Sequence, residues 1–329
     1  MSELHKFLFE GLPVRGMLVR VTEGWTEVLR RRAEGSPAGA YPAPVQDMLG
    51  EMVAAACLMQ ANIKFNGALI LQIFGDGPVK LAVAEVQPDL ALRATATVIT
   101  AVPPGASLSA MVNVTNQGKC AITLDPKDRF PGQQPYQGVV PLFGDRREKL
   151  EKLSDVLEHY MLQSEQLDTR LVLAADGQMA AGLLIQRLPL EGAGNLAGQG
   201  GRQANEDEIG LNEHYNRIAL LAGSLKREEL LTLDAPTILR RLFWEEDLRL
   251  FEPAAGQAAP HFACTCSRER VGNMIVGLGR EEVEGILAER SDVEVGCEFC
   301  GLHYRFDPVD VAGLFIGAGD RPASGAPLH

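Results

Sequence analysis

Hydrophobic and polar positions change rhythm several times along the chain, and each rhythm predicts an element. Met17, Val19 and Val21 alternate with Leu18, Arg20 and Thr22, the period of a half-buried strand. Gly35-Ser36-Pro37-Ala38-Gly39 breaks the chain. From Val45, the residues Met48, Leu49, Met52, Val53 and Ala56 then fall at helical spacing. Gly67–Phe74 and Val79–Val86 read as strands around Gly75-Asp76-Gly77-Pro78. That tetrapeptide lacks the Gly-Lys-Ser/Thr ending and the following helix of a phosphate loop, so it predicts a hairpin turn. Arg93, Thr95, Thr97 and Ile99 continue the β-rich stretch, and Met111–Val114 and Cys120–Leu124 flank Asn116-Gln117-Gly118-Lys119, a second hairpin signal. Leu150, Leu153, Leu157 and Tyr160 or Met161 share one face of a helix expected over Arg146–Gln163. Thr169–Ala174 and Ala181–Leu188 form a last hairpin around Asp176-Gly177. Strands run together rather than alternating strictly with helices, so residues 1–190 are expected to form a mixed strand/helix core domain of the α+β class.

The rhythm then changes to short amphipathic helices, and residues 191–257 read as a linker region. Glu191–Arg202 is rich in Gly, Ala, Asn and Gln. Asn205 with Glu208 resembles a capping box. Ile218, Leu221, Ala222 and Leu225 make one apolar stripe. Asp234-Ala235-Pro236-Thr237 starts a further helix with Ile238, Leu239, Leu242 and Phe243 on its buried side. Helices this short cannot bury their stripes alone. They are expected to dock on the neighbouring domain, and a segment that depends on docking is easy to release. Glu228, Glu229, Glu245, Glu246 and Asp247 would keep the released segment soluble.

Residues 258–318 read as a small zinc-binding domain and 319–329 as a disordered tail. Ser267 is a good N-cap for a helix carrying Val271, Met274, Ile275 and Leu278, which Gly279 ends. Val283, Ile286 and Leu287 mark a second helix.

Composition narrows the function. A chain of 329 residues with 46% hydrophobic residues has enough apolar surface for a core. A formal net charge of −12 argues against a nucleic-acid partner, which would select a basic face. The first residues carry Glu3, Lys6 and Glu10 rather than an apolar leader, and no apolar run reaches the roughly 18 residues that span a bilayer. A cytoplasmic protein without a membrane partner is expected. Six cysteines are too few for a disulfide scaffold in a chain of this length. Cys57 lies in an Ala-rich apolar stretch and reads as a core residue, and Cys120 also stands alone.

The chemistry lies in Cys264-Thr265-Cys266 and Cys297-Glu298-Phe299-Cys300. Two close cysteine pairs are a specific signal for one Zn²⁺ per chain, held by four thiolates with no coordination position left open. His261 and His303 stand near in sequence, but four cysteines already complete the set. Gly301 follows Cys300, where a zinc knuckle turns tightly. Such a site is either a permanent structural centre or a redox switch. Cys266 just ahead of a helix N-terminus, with Arg268, Arg270 and Arg305 nearby in sequence, sits where positive potential favours thiolate, the form that oxidants attack. A thioredoxin-like oxidoreductase needs its C-x-x-C at the start of a βαβ helix, and that context is missing here. A constitutive zinc-dependent interaction module would keep its metal under peroxide.

Cys264-Thr265-Cys266-Ser267-Arg268-Glu269-Arg270 and Cys297-Glu298-Phe299-Cys300-Gly301 resemble the heat shock protein 33 family of bacterial redox-regulated chaperones. Arg15-Gly16, Lys64-Phe65-Asn66-Gly67, Gly75-Asp76-Gly77-Pro78, Tyr136-Gln137-Gly138-Val139-Val140, Ser164-Glu165-Gln166-Leu167, Glu228-Glu229-Leu230-Leu231 and Arg241-Leu242-Phe243 extend the resemblance over nearly the whole chain. It implies an α+β core, a helical linker and a C-terminal redox-switch domain. It also implies a holdase that works without ATP, is not an enzyme, and is inactive while reduced and zinc-bound at Cys264, Cys266, Cys297 and Cys300. Oxidation would form disulfides Cys264–Cys266 and Cys297–Cys300, release zinc, unfold switch and linker, favour a homodimer and expose surface for unfolding client proteins. Cys57 and Cys120 are not part of the family's motif.

Overall fold

The computed structural model describes residues 1–128, 130, 133–188, 203–252 and 258–317. The Gly-rich segment 191–202 and the tail 319–329 lie outside the described residues. The chain divides into two compact units. One comprises Met1–Arg30 and Tyr41–Ala263, the other Arg31–Ala40 and the chain from Cys264 onward.

The first unit opens with β1 (Glu3–Phe9), β2 (Val14–Val21), α1 (Glu23–Gly35), whose residues from Arg31 on belong to the second unit, and α2 (Ala43–Asn62). The antiparallel strands β3 (Gly67–Phe74), β4 (Val79–Val86) and β5 (Ala91–Val98) follow. Then come α3 (Leu108–Val112), β6 (Lys119–Pro126), β7 (Tyr136–Pro141), α4 (Leu153–Glu165), β8 (Thr169–Ala175) and β9 (Ala180–Arg187). Helices α5 (Gln203–Gly223), α6 (Arg227–Thr232) and α7 (Ala235–Leu242) and strands β10 (Leu248–Phe251) and β11 (His261–Phe262) complete the unit. Two sheets result, with strand orders β10-β1-β2-β9-β8 and β11-β5-β4-β3-β6-β7. The fold is α+β, as the clustering of strand signals implies.

Helix α2 packs against strands of both sheets, so its apolar spacing extends to almost every position; even Gly50 and Gln60 are buried. Val45, Leu49, Met52, Val53 and Cys57 join Met17, Val19 and Val21 of β2 and Leu69, Leu71 and Ile73 of β3 in the main core. The other face of the five-stranded sheet is covered as well. Val14 and Leu18 of β2 and Phe7 and Phe9 of β1 are buried with Ile218, Ala222, Leu225, Ile238, Leu239, Leu242 and Phe243. Strand β2 is therefore buried on both faces, not half-buried as its alternation predicts, because the linker helices form a layer over its second face. Any side chain at Gly16 would collide with the ring of Phe7, so this glycine makes room for that layer's aromatic floor.

Three boundaries differ from the sequence reading. Met111–Val114 is not a strand; Leu108–Val112 is helical, capped by Ser107, whose side chain accepts from the Ala110 N–H. Strand β6 pairs instead with β3 and β7. The helix expected from Arg146 begins only at Leu153, because Phe143 and Lys149 form a β-bridge and Arg147 adopts a positive φ. Helix α5 is already under way at Asn205, which is therefore not its cap. Asp234 does cap α7, accepting from the Thr237 N–H at 2.7 Å.

The second unit contains α8 (Arg268–Leu278), α9 (Arg280–Glu289), the hairpin β12 (Val293–Gly296) and β13 (His303–Phe306), and α10 (Pro308–Gly317). Its core is small: Val271, Ile275, Val283, Val293, Phe306 and Val311.

Candidate metal centre

Local sequence places each cysteine. Ser267 caps α8 by accepting from the Arg270 N–H at 3.2 Å, which fixes where the chain leaves Cys264 and Cys266. Cys297 and Cys300 lie in the turn joining β12 to β13. The Cys297 N–H donates to Leu302 O and the Gly301 N–H donates to Cys297 O, both at 2.8 Å. Gly301 takes a φ of +71°, a left-handed conformation that glycine adopts without strain. The turn thereby points two sulfurs to the same side.

The four Sγ atoms all lie within 4.8 Å of one another. Cys264 Sγ is 3.7 Å from Cys297 Sγ, and Cys266 Sγ is 3.3 Å from Cys300 Sγ. A tetrahedral Zn–S centre with bonds near 2.3 Å separates its sulfurs by about 3.8 Å. Donor type, number and spacing thus fit a divalent zinc-like ion. Cys300 is buried and the other three are half-buried. The sulfurs also compete for protons. A hydrogen bond from Cys297 holds the Cys264 thiol well below its ordinary value, and the same bond pushes Cys297 up. Burial pushes Cys300 up to about 11. Four thiolates packed this closely repel one another, and a dication is what allows all of them to ionise together.

The basic residues act differently from the sequence expectation. Arg268 is engaged by Asp310 and by the Arg305 carbonyl, both at 2.7 Å, and its guanidinium lies 4.3 Å from the Phe306 ring centroid. Arg305 pairs with Glu294. Arg270 donates to the Thr265 carbonyl at 3.0 Å and so braces the backbone between Cys264 and Cys266. These arginines hold the loops in place rather than pairing with the sulfurs. His303 bonds Glu294 at 2.8 Å, and the His261 ring meets the Ala259 carbonyl. Neither belongs to the sulfur cluster. Cys57 and Cys120 are fully buried in the main core, where burial pushes both thiols up to about 12 and leaves them inert.

Tyr304 is a residue that sequence reasoning missed. Its hydroxyl donates to Cys266 Sγ at 3.2 Å. Only the hairpin register, which pairs Tyr304 with Val295, turns it toward the site, and nothing in the local sequence marks it.

Comparison with known proteins fits this arrangement. The family model described as Hsp33 protein matches residues 2–307. The chain belongs to the Hsp33 family. The 33 kDa chaperonin of Chromobacterium violaceum is 45% identical over 314 residues, covering 95% of this chain and 94% of that protein. The 33 kDa chaperonin of Methylobacillus flagellatus is 41% identical over 315 residues, with the same coverage of each chain. The solved structure of the heat shock protein 33 homolog from Thermotoga maritima superposes with a TM-score of 0.70 at 20% identity, covering 98% of this chain and 100% of that one, a likeness of fold. As an Hsp33 family member the protein is a chaperone whose cysteine cluster can hold a metal ion. Among the described residues, no helix is long and apolar enough to cross a membrane.

Proposed function

We propose that this Hsp33 family member is a redox-regulated holdase that works in the cytoplasm without ATP. The observation that carries the reading is the gathering of four cysteine sulfurs in a unit with only a small core. Structural zinc contributes on the order of 10–16 kcal/mol of binding free energy, which is folding free energy for a unit of this kind. Zn²⁺ itself has no redox chemistry, but its thiolate ligands do. A two-electron oxidant such as peroxide converts one thiolate to a sulfenic acid, which a neighbouring thiol displaces to give a disulfide and water. Two such events give Cys264–Cys266 and Cys297–Cys300. Disulfide sulfurs are poor ligands, so the metal leaves and the second unit loses its main source of stability.

The functional division of the chain is then a core (1–190), a linker (191–257) and a switch (258–318). The apolar stripe of α5 to α7 on the five-stranded sheet supports this reading. It is hidden apolar surface of the kind that binds unfolding proteins once exposed. The oxidised chain is a homodimer, and neither nucleic acid nor membrane is a partner.

The test treats reduced, zinc-loaded protein with peroxide or hypochlorite while metal release and aggregation of a heat-unfolding client are followed together. One zinc released per chain, with aggregation suppressed in the absence of ATP, supports the reading. Retained zinc, or release without suppression, refutes it.

A further inference from the structure

The five-stranded sheet ends on β10, a strand supplied by the linker region. Its register on β1 pairs Lys6 with Phe251, Phe7 with Leu250, Leu8 with Arg249 and Phe9 with Leu248. One residue further, the Glu10 N–H donates to Asp247 O at 2.9 Å. Alternate residues of an antiparallel strand face the same neighbour, so Lys6 and Leu8 also direct their N–H and C=O toward β10, while Phe7 and Phe9 direct theirs toward β2. Two of the four β10 side chains lie largely outside the core, Leu250 at 56% exposed and Phe251 at 45%, while Leu248 packs against the Phe7–Phe9–Phe243 cluster and Arg249 pairs with Glu10. The main-chain ladder holds the strand, and that ladder is indifferent to sequence. Just upstream, Phe243 lies against Phe7 and Phe9, with ring centroids 6.2 and 5.0 Å away.

We propose that the edge of β1 is a strand acceptor for extended apolar segments of unfolding client proteins, occupied by β10 until the linker leaves. The proposal rests on the redox-holdase reading above and names the mode of binding. Once β10 departs, Lys6 and Leu8 present unpaired donors and acceptors, and the Phe7–Phe9 surface loses Phe243. An unpaired edge next to an apolar pocket is the arrangement to which extended peptides add as a new strand. The client follows the antiparallel register of β10, with one apolar side chain in the space vacated by Phe243. Backbone recognition suits partners that share no sequence. A second copy of this chain would compete with the client for the same edge.

The test is site-resolved amide exchange in the full-length protein, reduced, oxidised, and oxidised with carboxymethylated, permanently unfolded α-lactalbumin. Suppression of heat-induced client aggregation is measured in the same preparations. Lys6 and Leu8 are expected to lose about tenfold or more of their protection on oxidation and to regain it with the unfolded protein, while Phe7, paired with Gly16 of β2, stays protected. Aggregation suppression with Lys6 and Leu8 still exchanging overturns the proposal and leaves the holdase reading intact. Absence of suppression overturns both. Protection that returns without client and rises with protein concentration assigns the edge to a second copy and also overturns it. Arg249→Pro, which breaks the β10 ladder without touching the cysteines, supplies an independent arm. In this reduced, zinc-loaded variant Lys6 and Leu8 should exchange freely, and a peptide with the sequence of residues 247–252 should restore their protection. Persistent protection in the variant, or no response to the peptide, overturns the proposal.

Discussion

Phe243, at the end of α7, meets Phe9 of β1 edge-to-face, with ring centroids 5.0 Å apart and planes at 87°. Both side chains are almost fully buried. Together with Phe7 they form an aromatic joint between the linker and the sheet on which it lies. Phe243→Ala removes that joint. Burial of a phenylalanine of this kind is worth about 3–5 kcal/mol. Amide protection across Ile218–Leu242 should fall in the reduced protein, and less oxidant should be needed for activity. Protection equal to that of the unmodified protein would sink this assignment.

The metal should hold the second unit together and leave the first unit folded. A zinc chelator added under reducing conditions should abolish protection in α8, α9 and the β12–β13 hairpin, while α2 and the strands around it keep theirs. Cys297→Ser should do the same without chelator, since it removes one of four ligands. Cys57→Ala and Cys120→Ala should leave zinc content and peroxide response unchanged. Altered zinc release in either of these two core variants would contradict the assignment of the redox chemistry to the four clustered cysteines.

Tyr304 tunes Cys266. A hydrogen bond donated to a sulfur stabilises its charged form and lowers its reactivity toward oxidants. Tyr304→Phe deletes only the hydroxyl and should speed peroxide-driven zinc release several-fold, with zinc stoichiometry unchanged. Release kinetics read with a colorimetric chelator decide it; an unchanged or slower rate counts against the role.

Burial on α2 pushes the Glu51 carboxyl from 4.5 up to about 7, and the nearby Asp47 charge adds to the shift. A carboxyl raised in the folded state binds its proton more tightly there than in the unfolded chain. Its stabilising contribution is therefore complete below about pH 4.5 and is lost as pH rises through about 7. Well above pH 7 the charged group costs about 3 kcal/mol. Glu51→Gln should match the unmodified protein near pH 4.5 and exceed it in urea midpoint at pH 8. A constant difference across that range would show that Glu51 titrates normally.

The linker is also pinned at its second helix. Arg227 of α6 pairs with Asp47 at 2.9 Å and donates to the Ala175 carbonyl. Arg227 and Asp47 are each nearly half exposed, so the ion pair is screened and is worth less than about 1 kcal/mol. Arg227→Met should loosen α6 only slightly in hydrogen exchange, and raised salt should have the same small effect on the unmodified protein. A loss of protection as large as that of Phe243→Ala would mean that the pairing carries more of the docking than its exposure allows.

Much of this protein is legible residue by residue. The caps Ser267 and Asp234, the Gly301 turn, the strands β3 and β4 and the two cysteine pairs are set by local chemistry: a side chain meets a backbone group a few residues away, or thiols recur at metal spacing. The sequence alone therefore determined the α+β class, the candidate ligand set and the family resemblance. Tertiary structure decided what depends on distant partners. Met111 and Val112 became the end of a helix, and β6 found its partners in β3 and β7 instead. Strand β2 was buried on both faces because helices some two hundred residues later cover it. Tyr304 reached Cys266, and the nearby arginines turned to carboxylates and carbonyls, because a hairpin register and helix packing set where those side chains point. Hydrophobic periodicity records that a face is buried, but only the folded chain specifies which surface buries it.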